Sequence, residues 1–166
     1  MSHTPKALVL LAAAAVFTPS IAFAELESEL SAYVVTTDGD GYEVFSPANA
    51  VKPGQVIEYR IKHTNTFNEA VSGVAVVGPI PSEAILALGD STSTAEAVFE
   101  IRAELDPDQP GEEWSSLPAM RVVILDDGTR TLEEAKPEHF TAVRWTIATP
   151  LASEQTVANT YRVEVR

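Results

Sequence analysis

Apolar and polar residues alternate along most of this chain, in short runs that end at Gly, Pro, Asp and Ser clusters. Alternation with period two marks half-buried β-strands, and frequent turn clusters mark an all-β architecture. The clearest run is Gln55 to His63, where Ile57, Tyr59 and Ile61 share one face and Glu58, Arg60 and Lys62 the other. Leu30 to Thr37 is an expected first strand, Asp38-Gly39-Asp40-Gly41 a turn, and Tyr42 to Phe45 a short second strand before a loop over Ser46 to Ala50. Val71 to Val77 follows, with Val74 and Val76 inward, and Gly78 to Pro81 closes it because proline donates nothing to a ladder. Val98 to Leu105 alternates with Phe99, Ile101 and Ala103 inward, and Met120 to Leu125 ends at Asp126-Asp127-Gly128. In Phe140 to Thr149, Val143, Trp145 and Ile147 point inward; in Thr156 to Val165, Val157, Tyr161, Val163 and Val165 do, with Arg162 and Glu164 outward. Ser82 to Leu88 reads as a short helical turn or an irregular edge, Asp106 to Gly111 as a Pro-rich loop, and Thr131 to Pro137 as an acidic loop with a helical turn. Seven or eight antiparallel strands closing by hairpins and Greek-key returns into a β-sandwich are the expected fold.

The first residues follow a different pattern. One positive charge at Lys6, an unbroken apolar run from Ala7 to Phe17, a break at Thr18-Pro19-Ser20 and the small-x-small Ala22-Phe23-Ala24 are the marks of a cleaved export signal. The apolar run is too short for a membrane span, which takes about 20 residues. Residues 1–24 are therefore expected to be removed, leaving residues 25–166 as a single domain, large enough to bury a core. The expected location is periplasmic or secreted, with no membrane span after cleavage.

Composition narrows the chemistry. The chain has no cysteine, so neither disulfides, a thiolate metal site nor a Cys nucleophile enters. Its net charge is −13, and residues 25–166 carry ten Lys and Arg against 24 Asp and Glu, or −14. A surface of this sign repels nucleic acid and anionic lipid.

The segment Val51-Lys52-Pro53-Gly54-Gln55-Val56-Ile57-Glu58-Tyr59-Arg60-Ile61 carries a resemblance, continued by Asn65, Val74, Val76, Ile80 and Pro81. It resembles the opening of the conserved-repeat domain of bacterial surface and exported proteins, the domain of unknown function eleven. Phe140 to Ile147, Pro150-Leu151 and Tyr161 to Val165 resemble small exported Gram-negative members of that family, so the likeness spans roughly residues 50–166 with gaps. Gly78 stands where an acidic residue is usual, and Ser153-Glu154-Gln155 where a glycine is usual. The resemblance implies an immunoglobulin-like fold and a structural or binding role at the cell envelope; it carries over no catalytic residue.

Candidate chemistry is sparse. Two histidines remain after cleavage, His63 and His139, far apart and without a Gly-x-Ser-x-Gly elbow. Acidic clusters stand at Asp38 and Asp40, at Asp106, Asp108, Glu112 and Glu113, and at Asp126 and Asp127. Calcium takes six to eight oxygens, and the best place for such a site is Asp106, Asp108 and Glu112. Asp-Gly turns explain the other clusters equally well. Trp145 is in phase with core residues, whereas Trp114 follows an acidic loop and is the candidate for stacking on a sugar or peptide. These features point to an exported, non-enzymatic domain that binds an envelope protein or a glycan. A small periplasmic hydrolase with its site in the end loops and a calcium-stabilised adhesion module are the alternatives. An enzyme requires a pocket where titratable groups converge; a binding module requires an apolar patch or an unguarded strand edge.

Overall fold

The computed structural model describes residues 26–166, so the expected export signal lies outside the described residues. Among the described residues, twelve strands and one 3-10 turn, Pro137–His139, make up the regular structure, and every strand pair is antiparallel. The strands are β1 Leu26–Thr37, β2 Glu43–Pro47, β3 Val56–Asn65, β4 Ala75–Pro79, β5 Ala84–Leu86, β6 Thr92–Ser93, β7 Ala97–Ala103, β8 Glu113–Ser115, β9 Met120–Ile124, β10 Arg130–Glu134, β11 Ala142–Ile147 and β12 Thr156–Val165. They form a larger sheet ordered β2-β1-β3-β12-β5 with β6 also on β12, a four-stranded sheet ordered β4-β11-β7-β8, and the separate hairpin β9–β10.

The two larger sheets share one core. From the first come Ile57, Ile61, Val157, Tyr161 and Val163; from the second Val76, Ile101, Val143, Trp145 and Ile147, all buried. Aromatic rings join the layers. Tyr59 and Tyr161, directly opposite on β3 and β12, stack with centroids 5.0 Å apart. Trp145 of β11 reaches across to Tyr161 at 6.0 Å and along its own sheet to Phe99 at 5.4 Å. These offset and tilted arrangements suit the ring quadrupole. The turn into β3 explains its Pro-Gly pair: Gln55 N–H returns to the Lys52 carbonyl, and Gly54 holds φ +81°, the left-handed value a type II turn requires.

The described residues hold twelve strands against the seven or eight expected; β4 begins at Ala75 and runs on through Gly78 and Pro79 rather than closing before them, and four elements lie where no strand was expected. Ser82 to Leu88, expected as a helical turn or an irregular edge, contains the short strand β5 at the end of the larger sheet, and the acidic stretch after Thr131 continues β10 rather than a loop. Strands β6 and β8 were unmarked by any alternating run because they are two and three residues long. The outer face of the larger sheet is also less open than its polar pattern suggests. Glu58 is only 6% exposed. Its carboxylate accepts from Arg60 at 2.7 Å and Arg162 at 2.8 Å, and Arg162 also grips Glu43 with two bonds of 2.6 and 2.7 Å. The Arg60 guanidinium covers Tyr33 and Phe45, 4.6 and 4.5 Å from their ring centres. Long stems over rings, with heads on carboxylates, turn a charged surface into a packed one.

Candidate functional site

Four segments meet beside the end of β7: the loop that follows it, strand β8, the hairpin β9–β10 and the turn Pro137–His139. Each of the acidic residues marked in the sequence as a calcium set lies here, but they are not brought together as ligands. The Asp106 side chain accepts the Asp108 amide at 3.0 Å, an Asx turn, and receives Arg130 at 3.1 Å; Arg130 also pairs with Asp108. Glu112 points elsewhere, to Arg102 at 2.8 Å. Arg130 therefore stands where a cation would sit between Asp106 and Asp108. Among the described residues, no group of three His, Asp or Glu side chains is placed to hold a metal ion.

Trp114 is not a free loop side chain. It lies in β8 opposite Arg102, half-buried on the outer face of the four-stranded sheet. The guanidinium of Arg144 sits 4.3 Å from its ring centre and that of Arg102 at 5.6 Å. Arg144 is in turn fixed by Glu100 through two bonds of 2.6 and 2.9 Å. The Arg144 guanidinium therefore already stacks on the ring that its position after an acidic loop offered to a ligand.

Behind these residues opens a cleft of about 610 Å³, lined by the loop residues Glu104, Pro107, Pro110 and Glu112, by β9, and by His139 and Thr141. That size falls within the range of about 300–1,000 Å³ common to ligand clefts. Arg121 donates to the His139 imidazole, 2.9 Å from Nε2, so that nitrogen acts as an acceptor. The Thr141 hydroxyl is bonded to Arg102 and its carbonyl, each at 3.3 Å. Arg121 and His139 thus pair with each other, Glu112 and Thr141 with Arg102, and among the described residues no hydroxyl is hydrogen-bonded to His139 as a nucleophile–base pair requires. His63, the other histidine, lies away from the cleft on the inner face of β3 with its Nδ1 buried and unpartnered by protein. Burial holds its pKa below the ordinary value.

Strand β9 was legible as Met120 to Leu125, but its pairing into a hairpin and its place as a cleft wall were not. On the hairpin face that Met120, Val122, Ile124 and Leu132 share, Met120 is 44% exposed, Ile124 49% and Leu132 63%, with Leu125 exposed beside them. The Asp126-Asp127-Gly128-Thr129 turn was the available signal: Gly128 N–H bonds the Leu125 carbonyl at 2.8 Å and the Asp127 carboxylate accepts the Thr129 amide at 2.8 Å. Reading that turn as a hairpin rather than as the end of a strand would have located β10. Arg121, the cleft's cation, carries no local sequence mark.

Comparison with known family models, curated proteins and solved structures found no match.

Proposed function

We propose that this chain is an exported, non-enzymatic domain of immunoglobulin-like, Greek-key arrangement that acts at the cell envelope by docking a partner, with the cleft between β9 and the loop after β7 as its docking surface. The antiparallel pairing and the repeated passage of the chain between sheets support the arrangement: β3 leads to β4 in the opposite sheet, and β11 returns to β12. The observation that carries the interaction reading is the exposed apolar face of the β9–β10 hairpin, at Met120, Ile124 and Leu132, next to a cleft that the β9 edge, Ile124 included, also lines. Exposed apolar groups next to polar rims are the usual form of a contact surface.

A hydrolase in the end loops remains a second reading because the cleft does gather Glu104, Glu112, Arg121 and His139. Against it, Glu112 is held by Arg102 and His139 by Arg121. The test of the first reading is affinity capture of the exported protein's ligands from a cell-envelope extract, with cross-links read residue by residue. A retained protein or glycan linked to the cleft rim supports it. Retention unaffected by a bulky substitution at Ile124, or no retention, counts against it.

A further inference from the structure

The hydrogen-bond alternation of β9 defines what the cleft accepts. In the hairpin, Leu125 N–H bonds the Thr129 carbonyl and Ala135 N–H bonds the Ala119 carbonyl. The register pairs Val123 with Thr131 and Arg121 with Glu133. In an antiparallel ladder the main-chain groups of alternate residues point to the same side. Odd-numbered residues of β9 thus face β10, and Met120, Val122 and Ile124 face the opposite side. Val122 confirms that direction, since its N–H bonds the Leu105 carbonyl at 2.7 Å, on the loop side.

That single bond begins a ladder that the loop does not continue. Pro107, two residues beyond Leu105, has no amide to donate, and among the described residues no further main-chain bond joins the loop to β9. The Val122 carbonyl and the amide and carbonyl of Ile124 are left aimed toward the loop. The cleft lining shows the same feature independently. Arg121, Val122, Val123 and Ile124 all line it, and four consecutive residues line one hollow only when a strand presents its edge rather than a face. This is an unguarded edge inside a groove.

We propose that the cleft takes an extended peptide segment with alternating apolar and basic side chains, which pairs through its main chain with the outer edge of β9 at Val122 and Ile124. The inference rests on the docking reading above and names its partner class. The apolar component follows from Val122, Val123 and Ile124 beside Pro107 and Pro110. The basic component follows from charge. Glu104 is exposed in the lining without an ion-pair partner among the described residues, the lining sets two carboxylates, Glu104 and Glu112, against one guanidinium, Arg121, and the whole chain is at −13. That balance disfavours a second copy of this acidic chain and favours a cationic strand.

The test uses a synthetic octapeptide of alternating Lys and Val, its analogue N-methylated at every second residue, and an alternating Glu and Val peptide, each titrated into the exported protein by NMR. The Lys-Val peptide is expected to slow exchange of the Ile124 amide by about tenfold or more, with the other two binding about tenfold more weakly or not at all. Glu104→Lys, a surface change outside the ladder, is expected to weaken the Lys-Val peptide while leaving the folded spectrum unchanged. An Ile124 amide unaffected at saturation, or N-methylated peptide bound equally well, overturns the inference. Envelope capture that leaves Ile124 unprotected overturns the strand-addition proposal and leaves the docking reading standing. Peptide pairing at Ile124 without any envelope capture does the reverse.

Discussion

Tyr161 lies directly against Gly78, and only a glycine leaves it room. A Cβ built at residue 78 would stand 2.5 Å from Cε1 of the tyrosine ring, while the hydroxyl donates to the Pro79 carbonyl at 2.6 Å. One side chain on β12 is thus tied to β4 in the opposite sheet by both shape and a hydrogen bond. Burial raises the Tyr161 phenol pKa well above its ordinary value, so it stays a donor.

Gly78→Ala is therefore expected to destabilise the protein by about 1–3 kcal/mol, the range for overfilling a packed interior. Tyr161→Phe is expected to lose about 1–2 kcal/mol by leaving the Pro79 carbonyl without its donor. Urea denaturation midpoints check both. Equal midpoints for wild type and Gly78→Ala would show that Tyr161 does not lie against residue 78.

His63 supplies a pH dependence. Burial depresses its folded pKa below the ordinary 6.5. The unfolded chain then binds more protons than the folded protein between the two values, so the stabilising effect is complete above about 6.5 and is lost as pH falls toward the folded value. Its cross-strand partners Ser28 and Val157 carry no charge that would offset this. Denaturation midpoints are expected to fall between pH 7 and 5, and His63→Gln is expected to flatten that part of the curve. An unchanged slope in the variant would remove His63 as the cause.

The two tryptophans should report separately. Trp145 is 2% exposed in the core, whereas Trp114 is half-buried between two guanidinium groups. Acrylamide is expected to quench one fluorescence component readily and the other poorly. Trp114→Phe should remove the accessible component at a stability cost of about 0.5–1 kcal/mol from the weakened cation–π contact. Loss of the protected component instead would reverse the assignment.

Calcium is expected to leave the thermal midpoint unchanged, because Arg130 already neutralises Asp106 and Asp108. Ligand binding to the folded state raises the midpoint by mass action. A midpoint that rises with millimolar calcium and falls with chelator would show that the cation displaces the arginine.

The parts that read well in the sequence are those whose function is to fill the interior. Ile57, Tyr59 and Ile61, or Val143, Trp145 and Ile147, alternate because every second side chain must enter the core. Strand β10 was hidden because its hairpin does not contribute an inner row to the shared core, so Thr131 to Glu134 show no apolar alternation. The same holds for β5, where only Ala84 and Leu86 turn inward. The acidic loop was recognised as chemically distinct, but its neutralisation was not. Arg102 and Arg130 come from two different strands, and no local pattern states which carboxylate each will meet. Leu26 to Glu29, which lie before the expected first strand, pair with β3 from Leu26 opposite Asn65 to Glu29 opposite Lys62.

Amide hydrogen exchange in the free protein, resolved residue by residue along β9, tests the central claim most directly. Val122 bonds Leu105, Val123 pairs with β10 and Leu125 bonds Thr129, so these three amides should be protected while Ile124 between them exchanges freely. Ile124 protected as well as its neighbours in the absence of any ligand would mean that the edge is already closed, and the cleft would have no strand to receive.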